Sequence, residues 1–208
     1  ILFKGGVNNQ VVDSICRIPM HDPISMTING DYIDPPVSEY EFTQQNNTIK
    51  IVYEDNKDNF DCLFYKCSDI DEIDASHLNR SNVTSMYFMF HECKSLTSLN
   101  ISNFNTENVK SMKSMFCFCS SLSSIDISHF VTSSLEDMVY MFKNCSNLTS
   151  IYLLNFDTTN VIYMDSLFNG CSSLTTLDIS NFKTSKVTWT SEMFRDCYLL
   201  TTLDLSNF

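Results

Sequence analysis

The stretch Leu96-Thr97-Ser98-Leu99-Asn100-Ile101-Ser102-Asn103-Phe104 decides the reading of this chain, because its pattern of apolar letters returns every 26 residues. The same spacing begins again at Leu122, Leu148, Leu174 and Leu200. Upstream of each copy, Phe64, Phe90, Phe116, Phe142, Phe168 and Phe194 are each followed three residues later by a cysteine: Cys67, Cys93, Cys119, Cys145, Cys171 and Cys197. A period of this length across six copies marks a repeat architecture, in which no unit can bury its apolar face alone and neighbours must share one core.

Within one unit, Leu99 and Ile101 alternate with Ser98, Asn100 and Ser102, which predicts a short strand with two side chains inward and the polar ones outward. The spacing Val109, Met112, Met115, Phe116, Cys119 runs in threes and fours and predicts a short helix with one apolar stripe. The expected fold class is therefore an α/β solenoid, with a parallel β-sheet on one face and short helices on the other. Residues 1–60 lack the period, alternate at 24–28 and 48–53 and carry turn chemistry at Asn29-Gly30 and Pro35-Pro36. They predict a β-rich N-terminal cap over a solenoid of about six repeats spanning 61–208.

The motif L-x-x-L-x-L-x-N-F is that of the strand-bearing half of a leucine-rich repeat. The longer run M-F-x-x-C-x-S-L-T-S-L-D-I-S-N-F-x-T, seen with small variation at 115–132 and 167–184, resembles the BspA-like leucine-rich repeats found in surface proteins of certain bacteria and protists. The resemblance covers roughly residues 62–208. It implies a right-handed leucine-rich-repeat coil, an extracellular or cell-surface location, and adhesion or host binding as the general role.

Composition agrees with a recognition surface rather than a charged one. The net charge of −12 is concentrated early: residues 1–75 carry 14 acidic and five basic side chains, against 11 and eight in residues 76–208. Such a balance repels nucleic acid and anionic membrane. No apolar run is long enough to span a bilayer. The chain opens at Ile1 with no charged-then-apolar leader and stops at Phe208 in mid-repeat, so it reads as a processed chain or internal fragment. Phe208 is then a candidate interface residue, against further repeats or another molecule.

The six periodic cysteines point inward and read as reduced core residues, since free cysteine behaves as a small buried hydrophobe. Cys16 and Cys62, which lie in the cap and at its junction with the repeats, are the candidate disulfide. Cys117 falls outside the ladder; its counterparts His91, Lys143, Asn169 and Arg195 suggest exposure, and hence an interface thiol. Trp189, in the place of Ser111, reads either as a surface aromatic or as an interface anchor. N-x-S/T sequons stand at Asn46, Asn79, Asn82, Asn100, Asn144 and Asn147. Asn100 sits on an expected strand, which leaves the other five as candidate glycosylation sites; abundant Asn, Ser and Thr would also produce sequons by chance.

The central outward ladder reads Asp74, Asn100, Asp126, Tyr152, Asp178, Asp204. Two readings stand: a solvated face, or a ligand strip formed by Asp126, Tyr152, Leu154, Asp178 and Asp204, where an aromatic and an aliphatic side chain among hydroxyls would suit a glycan or peptide. The acidic run 54–61 lacks the Gly and downstream Glu of a calcium loop, and no cofactor or metal is expected. His21, His77, His91 and His129 are scattered, and no nucleophile or phosphate-loop motif occurs, so no enzyme is expected. The leading functional expectation is a surface for a protein, peptide or glycan; the alternative is a structural subunit whose copies stack end to end into an extracellular fibre.

Overall fold

The computed structural model describes residues 2–6, 23–33, 46–53 and 59–208. Six strands, β1 (Leu2–Gly6), β2 (Pro23–Ile28), β3 (Asp31–Ile33), β4 (Asn46–Tyr53), β5 (Glu72–Asp74) and β6 (Ser98–Asn100), form one sheet in the order β3-β2-β4-β1-β5-β6. The β2–β3 hairpin turns on Asn29 and Gly30, both at positive φ (53° and 93°), as a two-residue turn between right-twisted strands requires. β1 is antiparallel to both β4 and β5, so it joins the four early strands to the first repeat. β5 and β6 pair in parallel, Ile73 opposite Leu99, one 26-residue step apart.

From residue 59 onward each repeat lies on the next in constant register. Single parallel bridges run Asn59–Ser85–Ser111–Asp137–Tyr163–Trp189. Next to this line the backbone divides its donors between two partners. The N–H groups of Met112, Ser114, Phe116 and Phe118 donate to the carbonyls of Asp137, Val139, Met141 and Lys143 in the following repeat. The intervening Met115, Cys117 and Cys119 donate three residues back, to Met112, Ser114 and Phe116. Equivalent bonds recur in the repeats before and after.

This division explains why the expected short helices do not form: among the described residues there is none. An α-helix needs every N–H for the carbonyl four residues back, and here alternate donors are committed to the neighbouring repeat. The segment is instead a chain of three-residue-closure turns, reset at two left-handed positions per repeat: Ser114 (φ 57°) and Phe118 (φ 63°) in one copy, Ser166 (φ 51°) and Gly170 (φ 76°) in another. The three-four apolar spacing still has its consequence, since Val109, Met112, Met115, Phe116 and Cys119 are all buried. The strand segments differ from expectation too. Beyond β6 the corresponding residues form no strand; just before them the N–H and hydroxyl of Thr149 both donate to the carbonyl of Ser123, and those of Thr175 to the carbonyl of Thr149.

The core is a column. Phe64, Phe90, Phe116, Phe142, Phe168 and Phe194 stack with centroids 5.0 to 6.0 Å apart and interplanar angles of 4° to 10°. Offset stacking of this kind adds to the area the rings bury. Beside the column, the thiols of Cys93, Cys119, Cys145, Cys171 and Cys197 each donate at 3.1 Å to the carbonyl oxygen of the phenylalanine 29 residues earlier. Among the described residues no disulfide joins two cysteines.

The polar letters of the repeat clip one unit to the next. Thr132 is buried; its hydroxyl donates to the carbonyl of Asp157 (3.2 Å) and accepts the N–H of the same residue (2.8 Å). Thr106 and Thr158 do the same to Val131 and Lys183. The recurrent asparagine works in the opposite direction: the Asn155 amide donates to the carbonyl of Phe130 (3.0 Å) and that of Asn181 to Phe156 (2.8 Å). Where histidine replaces it, His129 Nε2 lies 3.0 Å from the carbonyl of Ile101 and fills the same place.

Candidate functional site

On the expected ligand strip the acidic side chains are occupied. Asp126, Asp178 and Asp204 each turn a carboxylate oxygen onto the backbone N–H two residues later, at Ser128, Ser180 and Ser206, with distances of 2.9 to 3.0 Å. The serine hydroxyls of Ser128 and Ser180 donate to the same oxygens. These hydroxyl and then backbone bonds hold the carboxyls of Asp126 and Asp178 below their ordinary range, and the backbone N–H and then the hydroxyl of Ser206 do so for Asp204. Each of these carboxylates is thus met by donors inside its own repeat, and Asp74 with Ser76 repeats the arrangement. Tyr152 and Leu154 stand exposed on this face, at 55% and 44%.

Other expected positions are distributed over the molecule. Asn79, Asn82 and Asn147 are exposed, Asn144 is half-buried in a left-handed turn, and the backbone of Asn46 opens β4. Phe208 is exposed at 42%. Cys62 is half-buried and reduced, while Cys16, its expected partner, lies outside the described residues, as do Pro35-Pro36 and 54–58 of the acidic run. Cys117 corrects its expectation: it is buried at 3%, and burial pushes its thiol up to about 12. It does not face solvent because its N–H closes a turn onto Ser114, and the left-handed residue that follows, Phe118, is the one turned outward. An interface thiol there is excluded in this conformation.

The bridge line holds a second surface, an open groove of 630 Å³. Its residues come from register. Asp137, Tyr163 and Trp189 occupy the bridge position of successive repeats; Asp165 lies two residues beyond it, and Tyr140 three. One repeat step places equivalent side chains about 4.8 Å apart. Tyr163 and Trp189 meet edge to face, centroids 6.1 Å apart at 74°, and form an aromatic corner, with Tyr163 40% and Trp189 64% exposed. Asp137 accepts the N–H of Val139 (2.9 Å), and burial raises its carboxyl above the ordinary range against the pull of that bond; the neighbouring Asp165 adds to the rise. Asp165 gives one oxygen to the N–H of Ser191 (3.1 Å), while its Oδ2, shut off from solvent, has no partner. Trp189 was singled out from sequence; Tyr140, Tyr163, Asp137 and Asp165 were not. The available signal was that Tyr163 and Trp189 stand 26 residues apart at a position filled by Ser85 and Ser111 in earlier copies. Assigning that segment to a helix would have pointed those side chains in other directions.

Comparison with known families identifies the repeats. A family model described as Mycoplasma protein of unknown function, DUF285, matches residues 58–152 and again 125–208. The chain belongs to that family. The two overlapping matches follow the stacked repeats and leave the early strands outside. No curated protein and no solved structure matches the chain. Among the described residues of this DUF285 member no helix is long and apolar enough to cross a membrane.

Proposed function

We propose that this DUF285 protein is an extracellular or cell-surface recognition module whose BspA-like leucine-rich repeats wind as a right-handed solenoid and present a binding face to a protein, peptide or glycan. The observation that carries the reading is the groove at Tyr163 and Trp189: aromatic side chains are exposed in a concavity on the stacked repeats, and concavities of this kind are where binding sites concentrate. The buried cysteines are compatible with an oxidising exterior. Burial holds the thiols of Cys119, Cys145 and Cys171 above their ordinary range, and a thiol that does not ionise is a poor substrate for oxidation. The exposed sequon residues Asn79, Asn82 and Asn147 are free of steric obstacles to a glycan at the level of residue exposure.

The test is binding of the chain to arrays of glycans and of peptides of graded charge, with Tyr163→Ala as the control variant. Retention of a defined subset, weakened in the variant, supports the reading. Retention of nothing beyond what the unfolded chain retains overturns it.

A further inference from the structure

The groove's chemistry narrows the ligand. We propose that it binds an arginine side chain of a basic peptide segment, the guanidinium lying in the corner of Tyr163 and Trp189 and donating to Asp165 and Asp137. This inference rests on the recognition reading above and deepens it.

Three observations converge on a cation with donors. The molecule already uses its tyrosines to hold its own cations: Lys66 lies 5.2 Å from the ring of Tyr65, Lys113 6.0 Å from Tyr87 and Lys143 4.8 Å from Tyr140. Among the described residues no lysine or arginine of the chain covers Tyr163 or Trp189, so the same chemistry is open there to an outside cation. Next, among the described residues one carboxylate of this groove, Asp165, has no cationic partner, while Lys113, which also lines the groove, acts on Asp137. Glu192 is taken by Arg195 and by the amide of Asn169 (3.1 Å), whereas Asp165 has an oxygen shut off from solvent with no donor. A buried acceptor without a partner is costly, and a turn of the Asp165 side chain toward the groove would let an incoming N–H relieve that cost. Lastly, burial disfavours the charge on Asp137 more than the Val139 N–H and Lys113 offset it, and Asp165 adds to the rise, so a further positive group is favoured there.

The choice of arginine follows from shape. A guanidinium is planar, stacks on an aromatic face and carries five donors in a fork that can reach two carboxylates, whereas an ammonium is a compact, strongly hydrated point charge. The groove is open along its length and larger than one side chain, so a peptide backbone can run past while one side chain enters. Residues 76–208, which carry the groove, hold 11 acidic against eight basic side chains, a small negative balance that favours the approach of a basic segment.

Trp189 is the single tryptophan of the chain, so its fluorescence reports on this groove alone. The probe is the peptide Gly-Arg-Gly-Arg-Gly titrated into the 208-residue chain. Its citrulline counterpart, neutral and of the same shape, and free choline serve as competitors. The expected result is a saturable change in Trp189 emission with the arginine peptide, and binding about ten-fold weaker for citrulline and for the variant Asp165→Asn. Asparagine retains the acceptor for the Ser191 N–H, and an unchanged thermal midpoint would show that Asp165→Asn folds. Equal response to arginine and citrulline, choline binding as tight as the arginine peptide, or no effect of Asp165→Asn would each overturn the assignment. If these fail while the chain still retains array ligands independently of Tyr163, the recognition reading stands and only the arginine groove falls.

Discussion

The thiol of Cys119 donates to the carbonyl oxygen of Phe90 across 3.1 Å, and the carbonyl of Phe90 also accepts the N–H of Cys93 at 3.2 Å. One carbonyl therefore ties the turn of its own repeat to the side chain of the next. This is why the ladder position holds cysteine rather than alanine or valine: it needs a small apolar side chain that still carries a donor.

Reactivity should follow burial. Alkylation of the native chain by iodoacetamide, followed by mass spectrometry, should mark the half-buried Cys62 and Cys197 first and leave Cys119, Cys145 and Cys171 unmodified until unfolding. Modification of Cys119 at the rate of Cys62 would contradict the packing described.

The threonine clip should matter more than its size suggests. Replacing Thr132 by Val keeps the volume but leaves the carbonyl and N–H of Asp157 without their hydroxyl partner. The expected loss is about 1–3 kcal/mol, while Thr132→Ser should lose less because it keeps the hydroxyl. Urea unfolding of the three proteins checks the order, and equal midpoints for Val and wild type would refute the clip.

His91 gives a pH signature. Its ring is buried between Tyr65 (stacked, 5.3 Å) and Phe88 (edge on, 4.5 Å), and burial lowers its pKa below the ordinary 6.5, against the raising pull of Glu92. The folded state thus prefers the neutral ring. Stability is present above the unfolded value and is lost as pH falls from there through the lower folded value. The expected result is a thermal midpoint that declines as pH drops below 6.5, with a shallower decline in His91→Gln. An identical slope in the variant would remove His91 as the cause.

What could be read from the sequence was the period and the inward set, because both depend only on which letters recur. Leu96, Phe104, Val109, Met112, Phe116 and Cys119 are all buried, as the spacing required. What could not be read was where the backbone donors go. The spacing of Val109 to Cys119 suits a helix and a run of turns equally, and only the cross-repeat bonds of Ser114 and Phe116 distinguish them. The same ambiguity hid the groove, whereas Cys117 was misplaced by the polar letters at its equivalent positions, of which His91 is itself buried. The acidic ladder was visible as a column of Asp, but not that Ser128 and Ser180 already hold its carboxylates.

Gly170 offers a local check on the turn chain. It sits at φ 76°, where the equivalent residues Phe118 and Asn144 take the same left-handed conformation with side chains. A Cβ at Gly170 would meet the Asn144 side-chain oxygen, which can swing away, so Gly170→Ala should cost about 1–2 kcal/mol, chiefly from the left-handed backbone. A neutral effect in urea unfolding would indicate that this turn is formed differently.

The central claim, a recognition surface on stacked repeats, is tested most directly by negative-stain electron microscopy of the protein from its native source with its full chain. Isolated rods of uniform width at micromolar concentration are the expected result, each rod an independent binding module. Regular fibres with an axial repeat longer than one stack would contradict it and assign the repeats to a structural polymer.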